Sequence, residues 1–237
     1  MLACLLLLLG CAKTPATQTP VKPEEIAQAF VKAFNEGDID SCLGMIADNI
    51  EYRQEPAGTV TQGKELFAAT LQYAKEWHLK LSIASPMTVN DDKVAFSIKE
   101  SGDYFTILGL EYMNGEVELH ISNGKIDSFL ATVNADDWKK LNDLLAGGIG
   151  IKIEVVEQGI RVTQLAKNSP AYDPGMRQGD IIIAVNKVSC SKMRDDEAQL
   201  RIYGAVGSKV LLTVVHQGTD TSVDIEVIRA SLEKMQY

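Results

Sequence analysis

The stretch Gly148-Ile149-Gly150-Ile151 is where this sequence carries binding chemistry. Glycines at 148 and 150 let successive backbone N–H groups turn toward one point. A nest of N–H donors of this kind is an anion site. Ile151 to Val156, rich in β-branched residues, reads as a strand. A strand with an open edge accepts an extended peptide as an added strand. Hydrogen bonds to a charged carboxylate contribute roughly 1.5–3 kcal/mol each. A few of them, with one buried side chain, imply an affinity of about 1 μM, or about −8 kcal/mol. Alone, Gly-Ile-Gly-Ile reads as a plain tight turn. No Gly-x-Ser-x-Gly, His-Glu-x-x-His, P-loop or Rossmann glycine pattern occurs. No Cys/His pairing has metal-site spacing. No catalytic constellation, metal or cofactor is expected.

About twenty residues on comes Asn168-Ser169-Pro170-Ala171-Tyr172-Asp173-Pro174-Gly175-Met176-Arg177-Gln178-Gly179-Asp180-Ile181-Ile182-Ile183-Ala184-Val185-Asn186. With the glycine loop, this resembles a PDZ domain of the kind found in bacterial HtrA-type and carboxyl-terminal processing proteases. The resemblance covers roughly 148 to 230. It implies that Gly148, Ile149, Gly150 and Ile151 hold the C-terminal carboxylate of a peptide. Lys152 and Ile153 would then border the groove. Arg194 to Tyr203 reads as the helix that walls it. The register of that helix is ambiguous, so Leu200 and Ile202 are both candidates for the pocket that takes the last ligand side chain. Ser169 is expected to N-cap a short helix with Pro170 in its first turn. Asp173-Pro174-Gly175 departs from the family pattern and should shorten that helix. His216 is expected to be exposed. About seven residues follow this unit, so no Ser/Lys protease domain is expected after it.

The middle of the chain must supply a second unit. Pro23 to Asn35 is amphipathic, with Ile26, Phe30, Val31 and Phe34 on one face. Helices are also expected at Ile39 to Ile46, Gly63 to Trp77 and Asp136 to Leu145. Strands are expected at Ile50 to Gln54, Leu79 to Ile83, Val94 to Glu100, Tyr104 to Tyr112, Glu116 to Ile121 and Ile126 to Thr132. Asn123-Gly124 is a strong hairpin signal. The order of Asn35-Glu36-Gly37-Asp38-Ile39-Asp40, Met45-Ile46-Ala47-Asp48-Asn49-Ile50-Glu51-Tyr52, Gln62-Gly63-Lys64-Glu65 and Val117 to Ile126 resembles the nuclear transport factor 2-like superfamily, in its polyketide-cyclase (SnoaL-like) branch. That resemblance implies a cone with a pocket at its wide end, and some members use an Asp, His or Tyr inside it. Tyr52 and Glu111 are the possible pocket residues here. Alternation puts Val117, Leu119 and Ile121 toward the helices, and Glu118 and His120 on the open face.

Met1 to Leu9 is almost wholly apolar, and Leu8-Leu9-Gly10-Cys11 resembles a bacterial lipobox. The segment is too short to span a bilayer, which needs about 20 residues, and fits a signal-peptide core. It lacks the basic residues expected before such a core, and Leu9 is larger than usual. The resemblance implies cleavage before Cys11 and lipidation of that residue. Ala12 in place of Asp favours the outer membrane in a Gram-negative host. In a Gram-positive host, the outer face of the cell membrane is expected. Residues 12 to 22 read as a flexible tether. Cys42 and Cys190 fall in different units, so no disulfide between them is expected. With 23 basic and 32 acidic residues the net charge is −9, which argues against nucleic acid as a partner.

The expected fold class is α+β. A cone-shaped domain of helices and a curved antiparallel sheet precedes a barrel-like PDZ domain with two helices. The expected organisation is a signal peptide at 1–10, a lipidated cysteine and tether at 11–22, the SnoaL-like domain at 23–146, the PDZ domain at 147–232, and a tail at 233–237. The expected role is a lipid-anchored envelope adaptor that binds peptide C-termini, with a homodimer as one use of the cone. The alternative is a small-molecule binder or isomerase/cyclase-like enzyme in the cone, with the PDZ unit for targeting.

Overall fold

The computed structural model describes residues 21–235. The expected signal peptide, Cys11 and most of the tether lie outside the described residues, as do 236 and 237. The chain is a mixed α+β protein. Its first part comprises α1 (Pro23–Glu36), α2 (Ile39–Met45), β1 (Ile46–Glu55), β2 (Thr59–Gln62), α3 (Lys64–Glu76), β3 (Lys80–Ile83), β4 (Thr88–Asn90), β5 (Lys93–Ser101), α4 (Asp103–Ile107), β6 (Met113–Ser122), β7 (Lys125–Val133) and α5 (Ala135–Leu145). The second comprises β8 (Gly147–Gly148), β9 (Ile151–Val156), β10 (Gly159–Leu165), β11 (Ile181–Val185), β12 (Val188–Ser189), α6 (Asp195–Ile202), β13 (Lys209–Val215), β14 (Ser222–Ile228) and β15 (Ala230–Ser231).

Helix α1 starts on Pro23, whose missing N–H costs nothing in a first turn. It stops at Gly37, a left-handed cap at φ 68°. Its buried face, Ile26, Phe30 and Val31, meets Phe67 and Leu71 of α3 and Val117, Leu119 and Phe129 of the sheet in one core. Burying one such side chain fully contributes about 1.5–3 kcal/mol. The sheet runs β2-β1-β7-β6-β5-β3, with β4 on β5. It is mixed rather than wholly antiparallel, because β7 lies parallel to β1. The intervening α3 and the β5–β6–β7 meander act as the crossover that a parallel pair requires. Asn123 and Gly124, at φ 50° and 73°, make the tight turn between β6 and β7. Val117, Leu119 and Ile121 are buried as alternation requires. On the other face, Glu118 pairs with Lys93 and His120 with Asp127.

The strand expected at Tyr104 to Tyr112 does not form. Gly102, at φ 150°, packs so close to the Trp77 carbonyl that an added Cβ would sit 2.9 Å from it. The chain therefore leaves β5 and turns into α4, which lets Phe105 and Leu110 bury against Met113 and Leu141.

In the second part, the sheet order is β14-β13-β11-β10-β9, with β12 on β11. Its core gathers Ile149, Ile160, Val162, Ile182, Ala198, Ile202 and Leu212 among others. The expected second PDZ helix is absent: residues 170 to 175 form successive turns, with Tyr172 N–H on the Ser169 carbonyl and Gly175 N–H on that of Tyr172. Pro174 disfavours helix at the residue before it, and Gly175 takes φ 108°. Ser169 caps nothing, and its hydroxyl is buried without a hydrogen-bond partner. Cys42 and Cys190 are free and buried. Burial pushes their thiols up to about 12 and about 11, which removes them as nucleophiles at neutral pH.

Candidate functional site

The glycine loop is built from three close backbone approaches. Gly147 bridges Gly204, each donating to the other at 2.8 and 3.1 Å. A Cβ on Gly147 would lie 2.6 Å from the Gly204 carbonyl oxygen. Gly148 pairs with Ala230 of β15. Gly150 stands at φ 74°, and a Cβ there would lie 2.5 Å from Cβ of Ser169. Both the dihedral and the space require glycine at 150.

The direction of the loop's donors follows from its carbonyls. The Ile149 carbonyl accepts from Ala171 N–H at 3.2 Å, and the Gly150 carbonyl from Ala166 N–H at 2.8 Å. In a trans peptide, N–H and C=O point in opposite directions. The N–H groups of Gly150 and Ile151 therefore point away from the 166–171 segment, which follows β10. They point toward the outer side of β9, the edge strand of its sheet.

That outer side faces α6 across a cleft of about 330 Å³, lined by Ile151, Lys152, Ile153, Gln199, Ile202 and Tyr203. Of the two candidates on α6, the helix turns Ile202 into the cleft and Leu200 away. Gln199, Ile202 and Tyr203 share one face at i, i+3 and i+4, whereas Leu200 lies about 200° round from Ile202. Ile149 belongs to the core, at 1% exposure, so it offers the cleft backbone rather than side chain.

Arg229 holds the helix end of this site, and sequence reasoning missed it. Its Nε donates to the Ile202 carbonyl at 2.8 Å, and Nη1 to the Lys209 carbonyl at 2.9 Å and Ser208 Oγ at 3.0 Å. A cation on the last carbonyls of a helix is favoured by their orphaned acceptors and the dipole. Its guanidinium is buried, and desolvation lowers its pKa. A Cβ on Gly204 would lie 2.6 Å from Cζ of Arg229, so the glycine and the arginine are coupled choices. The signal was parity: Ile225 and Val227 are buried, and Arg229 continues their face. His216, expected to be exposed, is half-buried, its Nδ1 2.9 Å from Oδ2 of the buried Asp180.

The first part holds a separate cavity of about 80 Å³, walled by Phe30, Phe34, Tyr52, Phe67, Leu71 and Phe129 with Glu100 among its polar lining. Tyr52 stacks edge-on against Phe67 and Phe129, at 5.4 and 5.2 Å between centroids. Burial, and then the charge of Glu100, push its hydroxyl pKa up. Glu111 is not there. It is exposed in the bend before β6, because α4 replaces the expected strand. Of the two acids that line the cavity, Glu100 and Glu116, Glu100 continues the buried parity of Val94, Phe96 and Ile98 along β5. Burial pushes its carboxyl up to about 7, and no hydrogen bond or ion pair to it forms among the described residues.

A carboxy-terminal-processing protease of Bartonella bacilliformis is 23% identical over 158 residues, covering 62% of this chain and 36% of that protein. Carboxy-terminal processing protease CtpB of Bacillus subtilis is 25% identical, covering 54% of this chain and 29% of that protein. Human syntenin-1 is 32% identical over 68 residues, covering 29% of this chain and 23% of that protein. The chain thus spans about a quarter to a third of the length of these curated relatives. Among solved structures, an NTF2-like protein of unknown function from Cytophaga hutchinsonii is 12% identical with TM-score 0.43, covering 52% of this chain and 98% of that one. A protein of unknown function with cystatin-like fold from Xanthomonas campestris is 19% identical with TM-score 0.43, covering 51% and 95%. Residues 140–215 match the PDZ domain family, and the chain carries a PDZ domain.

Proposed function

We propose that this chain is a peptide-binding adaptor of the bacterial cell envelope. The C-terminus of a protein partner enters the cleft between β9 and α6 and pairs with β9 as an added strand. Its carboxylate meets the N–H groups of the 149–151 loop, and its last side chain packs against Ile202. A lipid on Cys11 holds the chain at the membrane, and the 23–146 unit serves as a second interaction, dimerisation or ligand-binding unit. The observation that carries the reading is the inward tie of the Ile149 and Gly150 carbonyls, which turns the N–H groups of the same two peptides away from the 166–171 segment. Screening the chain against a library of random peptide C-termini tests it. The expected hits share an apolar last residue, and a library without hits rejects the reading.

A second reading is favoured by Glu100. An aromatic cavity with one high-pKa carboxyl takes a small apolar molecule with one hydrogen-bonding group, because a neutral carboxyl donates where an ionised one cannot. In this reading the PDZ unit serves for targeting. Ligand-observed NMR with cyclohexanone, which accepts but does not donate, tests it: binding should weaken as pH rises through about 7, and pH-independent or absent binding rejects it.

A further inference from the structure

The segment between β10 and β11 does more than hold the loop carbonyls. With the end of β10 it shapes a second cleft of about 560 Å³, lined by Gln164, Lys167, Asn168, Tyr172, Arg177 and Gln178 among others. This lining shares no residue with the cleft between β9 and α6. It contains two cations and no acid, on a chain whose net charge is −9. Both cations, Lys167 and Arg177, are exposed.

Arg177 is held in place before any ligand arrives. Its Cζ lies 4.6 Å from the centre of the Tyr172 ring. Its Nη1 donates to the Tyr172 carbonyl at 2.9 Å and to the Met176 carbonyl at 2.7 Å. These bonds fix the guanidinium plane on an aromatic face. Nε and Nη2 share an edge that neither bond uses, and that edge is a fork of N–H donors matched to a carboxylate. A fork already fixed loses little freedom on binding. Lys167 adds a point charge, and the three amides can donate or accept.

The surface continues past Arg177. Arg177 and Gln178 also border a hollow of about 420 Å³ with Gly175, His216 and Gln217. The acid there, Asp180, is 1% exposed. It is satisfied from within by the Arg177 N–H at 2.8 Å, the Gln217 N–H at 3.1 Å and His216. Asp173, exposed beside Tyr172, lines neither hollow. Two adjoining hollows fit an extended segment better than a single small ion.

We propose that this cleft is a second docking site, and that its occupant is an acidic segment of a partner protein. One carboxylate meets the Nε/Nη2 edge of Arg177 and another meets Lys167. The site goes beyond the glycine loop and does not depend on capture of a C-terminus there.

The experiment is fluorescence anisotropy of the full chain with a rhodamine-labelled hexaglutamate whose C-terminus is an amide, at low salt. The amide removes the terminal carboxylate, so the glycine loop has none to hold. Arg177→Gln should weaken binding about tenfold or more, by loss of charge-assisted bonds. Lys167→Gln should weaken it about threefold, as expected for one exposed pair. Lys32→Gln on α1 should leave it unchanged. Nη1 of Arg177 also ties two carbonyls, so a disturbed turn would mimic the Arg177 result; Lys167→Gln, at an exposed side chain, separates the two. Weakening in both variants with Lys32→Gln unchanged supports the site. No binding by the wild type, or equal binding by the wild type and Lys167→Gln, overturns it and leaves peptide capture standing. Displacement of the probe by inorganic phosphate at the same concentration as by unlabelled hexaglutamate would assign the cleft to a phosphate group, and also overturns it.

Discussion

Trp77 Nε1 donates to Asp196 Oδ2 at 3.0 Å, joining the end of α3 to the first turn of α6, the helix that walls the cleft beside β9. Arg194 lies over the same indole at 4.3 Å and donates to the Glu76 carbonyl at 3.0 Å. Asp196 in turn accepts from Arg194 Nε at 3.1 Å. Trp77 is 2% exposed, while the Arg194 and Asp196 side chains above it keep contact with water, so the cation–π attraction is a modest one. The far end of α6 is thereby fixed to the first part of the chain, while Arg229 fixes the end beside the glycine loop.

Fragments 23–146 and 147–232 should each melt cooperatively, since each holds its own core. In a Trp138→Phe background Trp77 is the only emitter, as the chain has two tryptophans. Its emission should shift to the red in the 23–146 fragment, where Arg194 and Asp196 are gone. An unshifted spectrum contradicts the contact, and non-cooperative melts of both fragments contradict the boundary near Ala146.

Glu100 makes stability depend on pH with a definite sign. Its folded pKa is about 7 against an ordinary value of 4.5. The unfolded chain therefore loses this proton first, and stability falls as pH rises from about 4.5 to about 7. Above that window the whole cost is present. Glu100→Gln should stabilise the protein by roughly 2–3 kcal/mol at pH 8 and by little at pH 4.5. Denaturant titrations at the two pH values check it; equal effects at both contradict it.

Cys11→Ala should release the protein from the membrane fraction or leave it unprocessed. The motive is Leu8-Leu9-Gly10-Cys11 ahead of a polar tether. Metabolic labelling with a palmitate analogue measures it directly. A wild type that takes no label removes the lipid anchor from the proposal.

Much of the architecture was legible because single strands and helices announce themselves by period. Pro23 and Gly37 mark the ends of α1, and Asn123-Gly124 marks a hairpin. What failed were places where distant backbone decides. Gly102 lets the backbone close on the Trp77 carbonyl, which accepts from Asp103 N–H at 3.0 Å, a contact that no local pattern reveals; with α4 in place of a strand, Glu111 lies outside the cavity. The parallel pairing of β1 with β7 is likewise a long-range choice. At the cleft the helix was readable from the sequence, but which of Leu200 and Ile202 faces the cleft needed the position of β9. Two charged residues could have been found. Glu100 and Arg229 each extend an alternating buried face by one step, and a charge at such a position marks a site or a cap.

Gly150→Val should abolish peptide binding, because the left-handed φ of 74° and the nearby Ser169 Cβ both exclude a branched side chain. Lys32→Ala, at a side chain 76% exposed on α1, should leave it unchanged. Calorimetry of both variants with one peptide checks the pair. Equal loss in the two would place the effect outside the loop.

The most direct measurement compares one peptide as its free acid and as its C-terminal amide, by calorimetric titration into the full chain. The N–H groups of Gly150 and Ile151 point away from the 166–171 segment, and in the proposed complex a carboxylate brings them charge and acceptors. An amide brings no charge and sets N–H donors against N–H donors. Losing the charge-assisted bonds should cost roughly 2–4 kcal/mol, a weakening of about thirty- to a thousandfold. Equal affinity for acid and amide would mean that the glycine loop is a turn and nothing more, and would contradict carboxylate capture.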